Sequence, residues 1–200
     1  MTTNYHATKN IYIIGCGGVG SHFAYLLLRD PEFDIIHLVD FDIIERKNCE
    51  RQLFTTEDVG KKKVIALKEY LDKFQTGKTI LAIDQKVDDQ LDLALFDKHS
   101  TAIICTDNLE SKRKLAAYFD KFIIINCEKD YFEIKTEMDS EEKHAWQIGS
   151  GYTSTQTFNS NVYSAFFAYL MLLRGTGVIR KVNTIELNHK LMDLTMSSSR

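Results

Sequence analysis

Three features of the sequence predict an α/β fold. Short apolar runs such as 11–14 (IYII) and 35–39 (IIHLV) alternate with segments of helical periodicity. This alternation is typical of a parallel sheet with right-handed crossovers. A glycine-rich turn separates the first apolar run from the first helical segment, and the length of 200 residues suits one core. We therefore expect a Rossmann-like, doubly wound, mostly parallel sheet with flanking helices, forming one domain over 1–200.

Each element follows from a local pattern. Apolar runs that end at glycine or polar residues predict buried strands at 11–14, 35–39, 79–83, 102–105 and 122–126. Apolar residues at helical spacing predict helices over 18–29, 61–74, 109–119 and 160–173, with short helical segments near 48–54 and 89–97. Residues 131–136 alternate like a strand at the margin of the sheet, and 184–195 predict a C-terminal β-hairpin. The polar stretch 137–157 predicts a crossover-type loop, and 196–200 a disordered tail.

Composition excludes several classes of protein. The net charge is −3 without a long basic run, so nucleic acid is not an expected partner. The apolar stretch 165–173 is about half of a bilayer span, so no membrane segment is expected. The four cysteines are widely spaced and lack a CxxC pair, which disfavours a disulfide framework. Together with the absence of a signal pattern, this indicates a cytoplasmic protein.

The glycine-rich turn has the spacing of a phosphate-binding loop. Gly15, Gly17, Gly18 and Gly20 form a G-x-G-x-x-G pattern after a strand and at the start of a helix. The helix N-terminus offers unpaired amides and a positive dipole end to an anion. Asp40 lies 20 residues beyond Gly20, where a carboxylate can accept hydrogen bonds from a ribose. This pattern leaves NAD, FAD and ATP open, and its alternative is a turn that only packs a helix on a strand.

Further polar residues follow in a characteristic order. They are Asp40 and Asp42, then Asn48, Arg51 and Gln52, then Gly60 and Lys63, and finally Asp107 and Asn108 after a predicted strand. This order of motifs resembles the family of ThiF, MoeB and the ubiquitin-activating enzymes, closely over residues 10–126. Five ordered motifs make the resemblance far more specific than a glycine loop alone.

The resemblance implies ATP and Mg²⁺ as ligands. In that family the residue matching Asp107 binds Mg²⁺ and the one matching Asp40 holds the ribose. The residues matching Asn48, Arg51 and Lys63 contact the nucleotide and its phosphates, and we group Asp42, Gln52 and Asn108 with them. We expect the catalytic residues to be Arg51, Lys63 and Asp107, because a carboxylate attacking a triphosphate requires cations and a metal.

Each of these residues also has a purely structural alternative. Arg51 could pair with a surface acid, and Lys63 could belong to a solvated helix start. Asp107 and Asn108 could cap the following helix. Asp42 could be a turn residue or a second ligand to the nucleotide, and the sequence leaves this open.

Three departures from the family pattern bear on function. Many members carry an N-terminal arginine that reaches a partner subunit's ATP, whereas the first arginine here is Arg29. The paired CxxC zinc ligands are missing, so zinc is not expected. The 137–157 stretch contains no cysteine for a thioester, and Cys127, the best remaining thiol, is better explained as a buried structural residue. We therefore expect adenylation without a stable enzyme thioester.

The resulting expectation is an adenylyltransferase that activates a carboxylate as an acyl-adenylate, with release of pyrophosphate. The resemblance implies the C-terminus of a ubiquitin-like or sulfur-carrier protein, or of a peptide, as the substrate. The apolar helix 160–173 indicates a homodimer, because a wide apolar surface needs cover. The alternatives are a catalytically incomplete subunit of the same family that needs a partner, and an NAD-dependent oxidoreductase.

Overall fold

The computed structural model describes residues 8–88, 91–128, 131–136, 157–174 and 178–188. Within these residues the chain forms one seven-stranded sheet. Its strands are β1 (Asn10–Ile14), β2 (Ile35–Val39), β3 (Thr79–Ile83), β4 (Thr101–Ile104), β5 (Lys121–Glu128), β6 (Tyr131–Lys135) and β7 (Val178–Asn183). The longer described helices are α1 (Gly18–Leu27), α2 (Lys63–Asp72), α3 (Leu109–Tyr118) and α4 (Phe158–Arg174), with 3₁₀ turns at Arg46–Asn48, Thr56–Asp58 and Leu93–Leu95.

The strand order is β3-β2-β1-β4-β5-β6-β7. Strands β1 to β5 pair parallel with one another, whereas the β5–β6 and β6–β7 pairs are antiparallel. The chain leaves β1 towards β2 and β3, then returns to place β4 on the other side of β1. The sheet therefore reverses its winding between β1 and β4, which is where open α/β sheets bind ligands. The predicted α/β, mostly parallel fold is confirmed.

Two apolar clusters form on the opposite faces of the sheet. Ile11 and Ile13 of β1 join one cluster with residues of α1, α2 and α4. Tyr12 and Ile14 join the other cluster, which includes α3 and the 3₁₀ turn near Leu93. Successive strand residues point to opposite faces, so a continuous apolar strand is buried on both. Both faces of the sheet are therefore covered by helices.

Helix α4 packs closely against α1 because small side chains line its buried face. Thr157 Oγ1 accepts a hydrogen bond from the backbone N of Ser160 at 3.3 Å, and the helix begins at Phe158. The buried residues of α4 are Ser160, Asn161, Ser164, Ala165, Ala168 and Met171. No helix within the described residues is long and apolar enough to cross a membrane.

Two predictions about the end of the sheet were wrong. Residues 131–136 are not marginal, because β6 lies between β5 and β7. Residues 184–188 are helical rather than part of a hairpin strand. Asn183 Oδ1 accepts hydrogen bonds from the backbone N atoms of Ile185 (2.9 Å) and Glu186 (3.2 Å), so this asparagine starts a helix and does not form a strand turn.

Some predictions lie partly or wholly outside the described residues. The short helix near 89–97 is reduced to the 3₁₀ turn Leu93–Leu95, with 89–90 outside. The short helical segment near 48–54 is a 3₁₀ turn at Arg46–Asn48 followed by a turn in which the backbone N of Gln52 donates to the carbonyl O of Asn48 at 3.0 Å. The loop at 137–157, apart from Thr157, the rest of the hairpin and the tail at 196–200 lie outside. The single domain over 1–200 therefore stays a prediction.

We predict that Ala168→Leu lowers the free energy of unfolding by about 1–3 kcal/mol, because it overpacks a fully buried position of α4. Urea denaturation followed by circular dichroism measures this change. Ala117→Leu on the exposed face of α3 is the matched control, expected within about 0.5 kcal/mol of the unaltered protein. Equal stability of the two variants would contradict the close packing of α4.

Candidate functional site

The glycine loop joins β1 to α1 with almost no room for side chains. Gly15 has φ of +95°, and a Cβ there would lie 2.9 Å from the backbone C atom of Cys105 after β4. A Cβ at Gly20 would lie 1.9 Å from the carbonyl O of Gly15. The amide of Ser21 bonds to the carbonyl O of Gly17 at 3.1 Å, closing the first turn of α1. The amides of the preceding helical residues have no carbonyl partner within the helix and can face an anion.

Asp40, directly after β2, holds this loop in place. Its Oδ2 accepts a hydrogen bond from the backbone N of Cys16 at 2.7 Å, and its Oδ1 accepts one from the backbone N of Asp42 at 2.8 Å. The residue is only 8% exposed. Burial raises the pKa of the Asp40 carboxyl, while the positive charge of Lys63 opposes that rise. The predicted ribose acceptor is therefore also the residue that joins the end of β2 to the phosphate loop.

Asp42 and Lys63 form an ion pair beside this carboxylate. Lys63 Nζ lies 2.6 Å from Asp42 Oδ2, and the backbone N of Lys63 donates to the carbonyl O of Asp42 at 3.0 Å. The lysine side chain is 9% exposed, whereas that of the aspartate is 47% exposed. The structure thus places Lys63 beside the loop rather than in a solvated helix start, and it gives Asp42 a defined partner.

The segment with Asn48, Arg51 and Gln52 packs against the same loop. Asn48 is buried, and its Oδ1 accepts from the backbone N of Glu45 at 2.8 Å. Arg51 Nη1 donates to the carbonyl O of Lys47 at 3.2 Å. Within the described part of the chain, buried Arg51 Nε and Gln52 Oε1 have no hydrogen-bond partner. Arg51 and Gln52 therefore keep unused hydrogen-bonding capacity beside Gly17.

At the end of β4, Asp107 and Asn108 have different surroundings. Asn108 Oδ1 accepts from the backbone N of Ser111 at 2.9 Å, so Asn108 is the N-cap of α3. Asp107 is exposed and is not that cap. It follows β4, the strand next to β1, by three residues and so lies at the same carboxyl end of the parallel strands as the glycine loop. The capping alternative therefore describes Asn108 and not Asp107.

Sequence analysis missed a buried lysine beside Asp107. Lys112 is 7% exposed, and its Nζ donates to Asn126 Oδ1 at 2.6 Å. Asn126 Nδ2 donates to Glu133 Oε2 at 3.3 Å, and Lys135 Nζ lies 3.1 Å from Glu133 Oε1. Burial lowers the pKa of Lys112 to about 8, although Asp107 and Glu133 favour its charged form. The sequence does carry one indication that Lys112 is buried, because its helical spacing places it on the same stripe of α3 as Leu115.

Of the cysteines near the site, Cys16 is buried, and Cys105 and Cys127 are partly buried. Burial raises the pKa of Cys105 to about 12, and it also raises the pKa of Cys16 and of Cys127. Cys127 Sγ lies 3.7 Å from Ser164 Oγ. These surroundings favour the thiol over the nucleophilic thiolate, in agreement with a structural role for Cys127. Groups of three or more histidine, cysteine or acidic side chains that could hold a metal do not occur among the described residues.

We predict that Lys112 makes stability rise with pH between about 8 and 10.5. Its folded pKa lies below its ordinary value of 10.5, so the unfolded chain binds more protons in this window. The contribution reaches at most about 3 kcal/mol, because one pKa unit equals about 1.4 kcal/mol. Urea unfolding of the unaltered protein and of Lys112→Met across this range measures it. Parallel pH profiles for the two proteins would contradict the prediction.

The sequence is similar to a known protein family and to two characterised relatives. Residues 6–128 match the family model described as the ThiF family. Molybdopterin-synthase adenylyltransferase of Salmonella typhimurium is 30% identical over 108 residues, which are 54% of this chain and 43% of the relative. Sulfur carrier protein ThiS adenylyltransferase of Escherichia coli is 28% identical over 110 residues, covering 54% of this chain and 43% of the relative. The chain therefore matches less than half the length of these curated relatives.

The solved structures agree with this relationship at the level of the fold. The crystal structure of Escherichia coli MccB with ATP has a TM-score of 0.69 and 21% identity. It covers 83% of this chain and 55% of the MccB chain. The glycine loop, Asp40, Arg51, Lys63 and Asp107 all lie within the region that the family model matches. Since that region exceeds half of the sequence, the chain belongs to the ThiF family.

Proposed function

We propose that this protein is an ATP-dependent adenylyltransferase that activates a carboxylate as an acyl-adenylate. The observation that carries the proposal is the placement of the family's nucleotide motifs around one edge of the sheet, at the β1/β4 switch point. The curated relatives are named as adenylyltransferases of molybdopterin synthase and of a sulfur carrier. The proposed substrate is the C-terminus of a ubiquitin-like or sulfur-carrier protein, or of a peptide.

The loop and Asp40 fit the nucleotide. Among the described residues, a Cβ at Gly17 would come within 4 Å only of Gln52 Nε2, at 3.7 Å, so a phosphate can approach the backbone there. The amides of the first turn of α1 and the helix dipole favour its negative charge. Both Asp40 oxygens already accept one hydrogen bond, yet each keeps a lone pair for a ribose hydroxyl. Asn48 and Gln52 belong to the segment that packs against this loop.

Arg51 and Lys63 would neutralise the phosphates. Two anions have to meet, the attacking carboxylate and the triphosphate, and their repulsion opposes the reaction. Lys63 is held beside the loop by Asp42, whose side chain is half exposed and can release the ammonium to a phosphate at low cost. Arg51 offers a buried Nε that has no partner among the described residues.

Asp107 fits Mg²⁺ as a single carboxylate ligand. Mg²⁺ in nucleotide sites is held by one or two carboxylates, while water and phosphate oxygens complete its octahedron. Asp107 is exposed at the end of the sheet where the phosphates would lie. When bound, the ion supplies charge neutralisation at the phosphates.

The chemistry requires no proton transfer from the protein. An oxygen of the substrate carboxylate attacks the α-phosphorus, the bond from this phosphorus to the bridging oxygen breaks, and pyrophosphate leaves. The products are an acyl-adenylate and pyrophosphate, and their charges balance those of the reactants. The chain's own task is to hold two anions in line, through the loop amides, Lys63 and Arg51.

A second candidate is a subunit of the same type that needs a catalytic partner. One observation favours it. Lys63 is already paired with Asp42 at 2.6 Å. A partner could supply a further cation to the phosphates. Nucleotide binding without pyrophosphate exchange distinguishes this candidate from the first.

We predict that the protein forms a homodimer through α4. Phe158, Phe166 and Leu173 are 53%, 45% and 54% exposed, and their spacing places them on one stripe of the helix. An apolar stripe of this size is stabilised by a partner surface. Sedimentation velocity at micromolar concentration should show twice the mass of 23.0 kDa, and Phe166→Glu should shift it to the monomer. A purely monomeric unaltered protein would rule the dimer out.

We predict ATP–pyrophosphate exchange that depends on Mg²⁺ and on a small carrier protein or peptide. Asp107→Ala should reduce the exchange rate by roughly a hundredfold or more, because Mg²⁺ would lose its carboxylate ligand and the phosphate charge would no longer be neutralised. Asp120→Ala, an exposed acid before β5 at the opposite edge of the sheet, is the matched control and should exchange like the unaltered protein.

Exchange that persists in Asp107→Ala would contradict the role of Asp107. Absence of exchange with tight ATP binding by calorimetry would favour the partner-dependent subunit. Absence of ATP binding would contradict the proposed function itself.

A further inference from the structure

The backbone carbonyl of Arg51 is held from two sides by side chains of different helices. His22 Nε2 on α1 lies 3.2 Å from this oxygen, and Asn161 Nδ2 on α4 donates to it at 3.3 Å. The three residues are far apart in sequence, and Asn161 follows Arg51 by 110 positions. A carbonyl oxygen has two lone pairs, and here it accepts hydrogen bonds from two side chains beside the phosphate loop.

Asn161 occupies a position that only a glycine opposite it allows. The residue is fully buried, and a Cβ at Gly18 would lie 2.2 Å from its Nδ2 and 2.6 Å from its Cγ. The small residues Ser160 and Ser164 beside it let α4 approach this closely. Asn161 Oδ1 is buried without a partner among the described residues, so the amide is held here by its contact to Arg51.

His22 is a donor to the same carbonyl. It is 9% exposed, and burial lowers the pKa of its imidazole, so the ring is neutral at neutral pH. A neutral imidazole that faces a carbonyl oxygen with Nε2 must carry its hydrogen on that atom. The ring of Phe158, in the first turn of α4, packs edge-on against the His22 ring at 5.5 Å between centroids. The two donors are therefore held by the same pair of helices.

The side chain of Arg51 itself has few restraints. Its Nη1 donates to the carbonyl O of Lys47, and its Nε is buried without a partner in the described part of the chain. A guanidinium on a long flexible stem loses rotamer entropy when it binds a phosphate. Fixing its backbone reduces the number of positions that the guanidinium can take, which lowers this cost before the ligand arrives.

We propose that His22 and Asn161 form a clamp on the Arg51 carbonyl that positions the Arg51 guanidinium for the phosphates of ATP. Both are proposed as positioning residues, since their side chains bond to the Arg51 carbonyl and would act through Arg51. The inference rests on the proposed function, because it needs a phosphate ligand at Arg51. It goes beyond that function by assigning a role to two residues outside the family's motifs.

Asn161→Asp tests the clamp with the smallest change of shape. The carboxylate lacks the N–H donor and places a negative oxygen against the Arg51 carbonyl. ATP dissociation constants measured by calorimetry should rise roughly tenfold or more, the size expected when one buried hydrogen bond becomes a repulsive contact. Asn159→Asp makes the same change on the same turn at an exposed position and should leave the constant unchanged.

The Arg51→Ala background separates positioning from a general structural role. If Asn161 acts through Arg51, Asn161→Asp should weaken ATP binding in the unaltered protein but not in Arg51→Ala. His22→Gln retains a donor and should bind ATP nearly normally, whereas His22→Phe should behave like Asn161→Asp. This second pair carries the same test if Asn161→Asp fails to fold.

The outcomes distinguish the clamp from the proposed function. Normal ATP binding by Asn161→Asp and His22→Phe, in a protein whose unaltered form binds ATP, would overturn the clamp alone. An equal loss in the Arg51→Ala background would also overturn it. No ATP binding by the unaltered protein would overturn the proposed function, and the clamp with it.

Discussion

The buried carboxylate of Asp40 is the contact on which the rest of the site depends. It joins two segments that are distant in sequence, the glycine loop through the amide of Cys16 and the end of β2 through the amide of Asp42. Burial disfavours its charge, and the nearby ammonium of Lys63 offsets part of that cost. Because Asp42 in turn holds Lys63, one carboxylate sets the position of the loop, of the second acid and of the cation. Removal of Asp40 would leave three elements without a common anchor.

A second set of contacts joins the loop to the far end of the chain. Asn161 of α4 lies against Gly18 and holds the Arg51 carbonyl, so α4 forms part of the proposed nucleotide site. Close approach of this kind needs small residues on both helices, and the buried face of α4 supplies them at Ser160 and Ser164. The packing of α4 in the core and the geometry of the proposed site therefore depend on the same contacts. A change that moves α4 away from α1 would break the hydrogen bond between Asn161 and the Arg51 carbonyl.

The sequence predicts well those parts of the molecule whose conformation is determined by residues close to them in the chain. The glycine loop, the strand before it and the helix after it follow from neighbouring residues, and the position of Asp40 follows from the order of strands in a parallel sheet. Asn161 and Lys112 could not be assigned, because their partners lie on other elements and the sequence does not show which faces meet. The C-terminal hairpin failed over 184–188 because Asn183 is equally typical of a turn and of a helix N-cap, and its hydrogen bonds to Ile185 and Glu186 decide between them.

The two lysines near the proposed phosphate site differ in how firmly their partners hold them. Lys63 pairs with Asp42, whose side chain is 47% exposed, so water can replace the lysine at the aspartate when the ammonium turns to a phosphate. Lys112 donates to Asn126, which in turn donates to Glu133, so this lysine belongs to a part-buried polar network. Charge alone would make both lysines candidates for phosphate binding. The network that holds Lys112, rather than the burial of the lysine, distinguishes it from Lys63, whose partner Asp42 is half exposed.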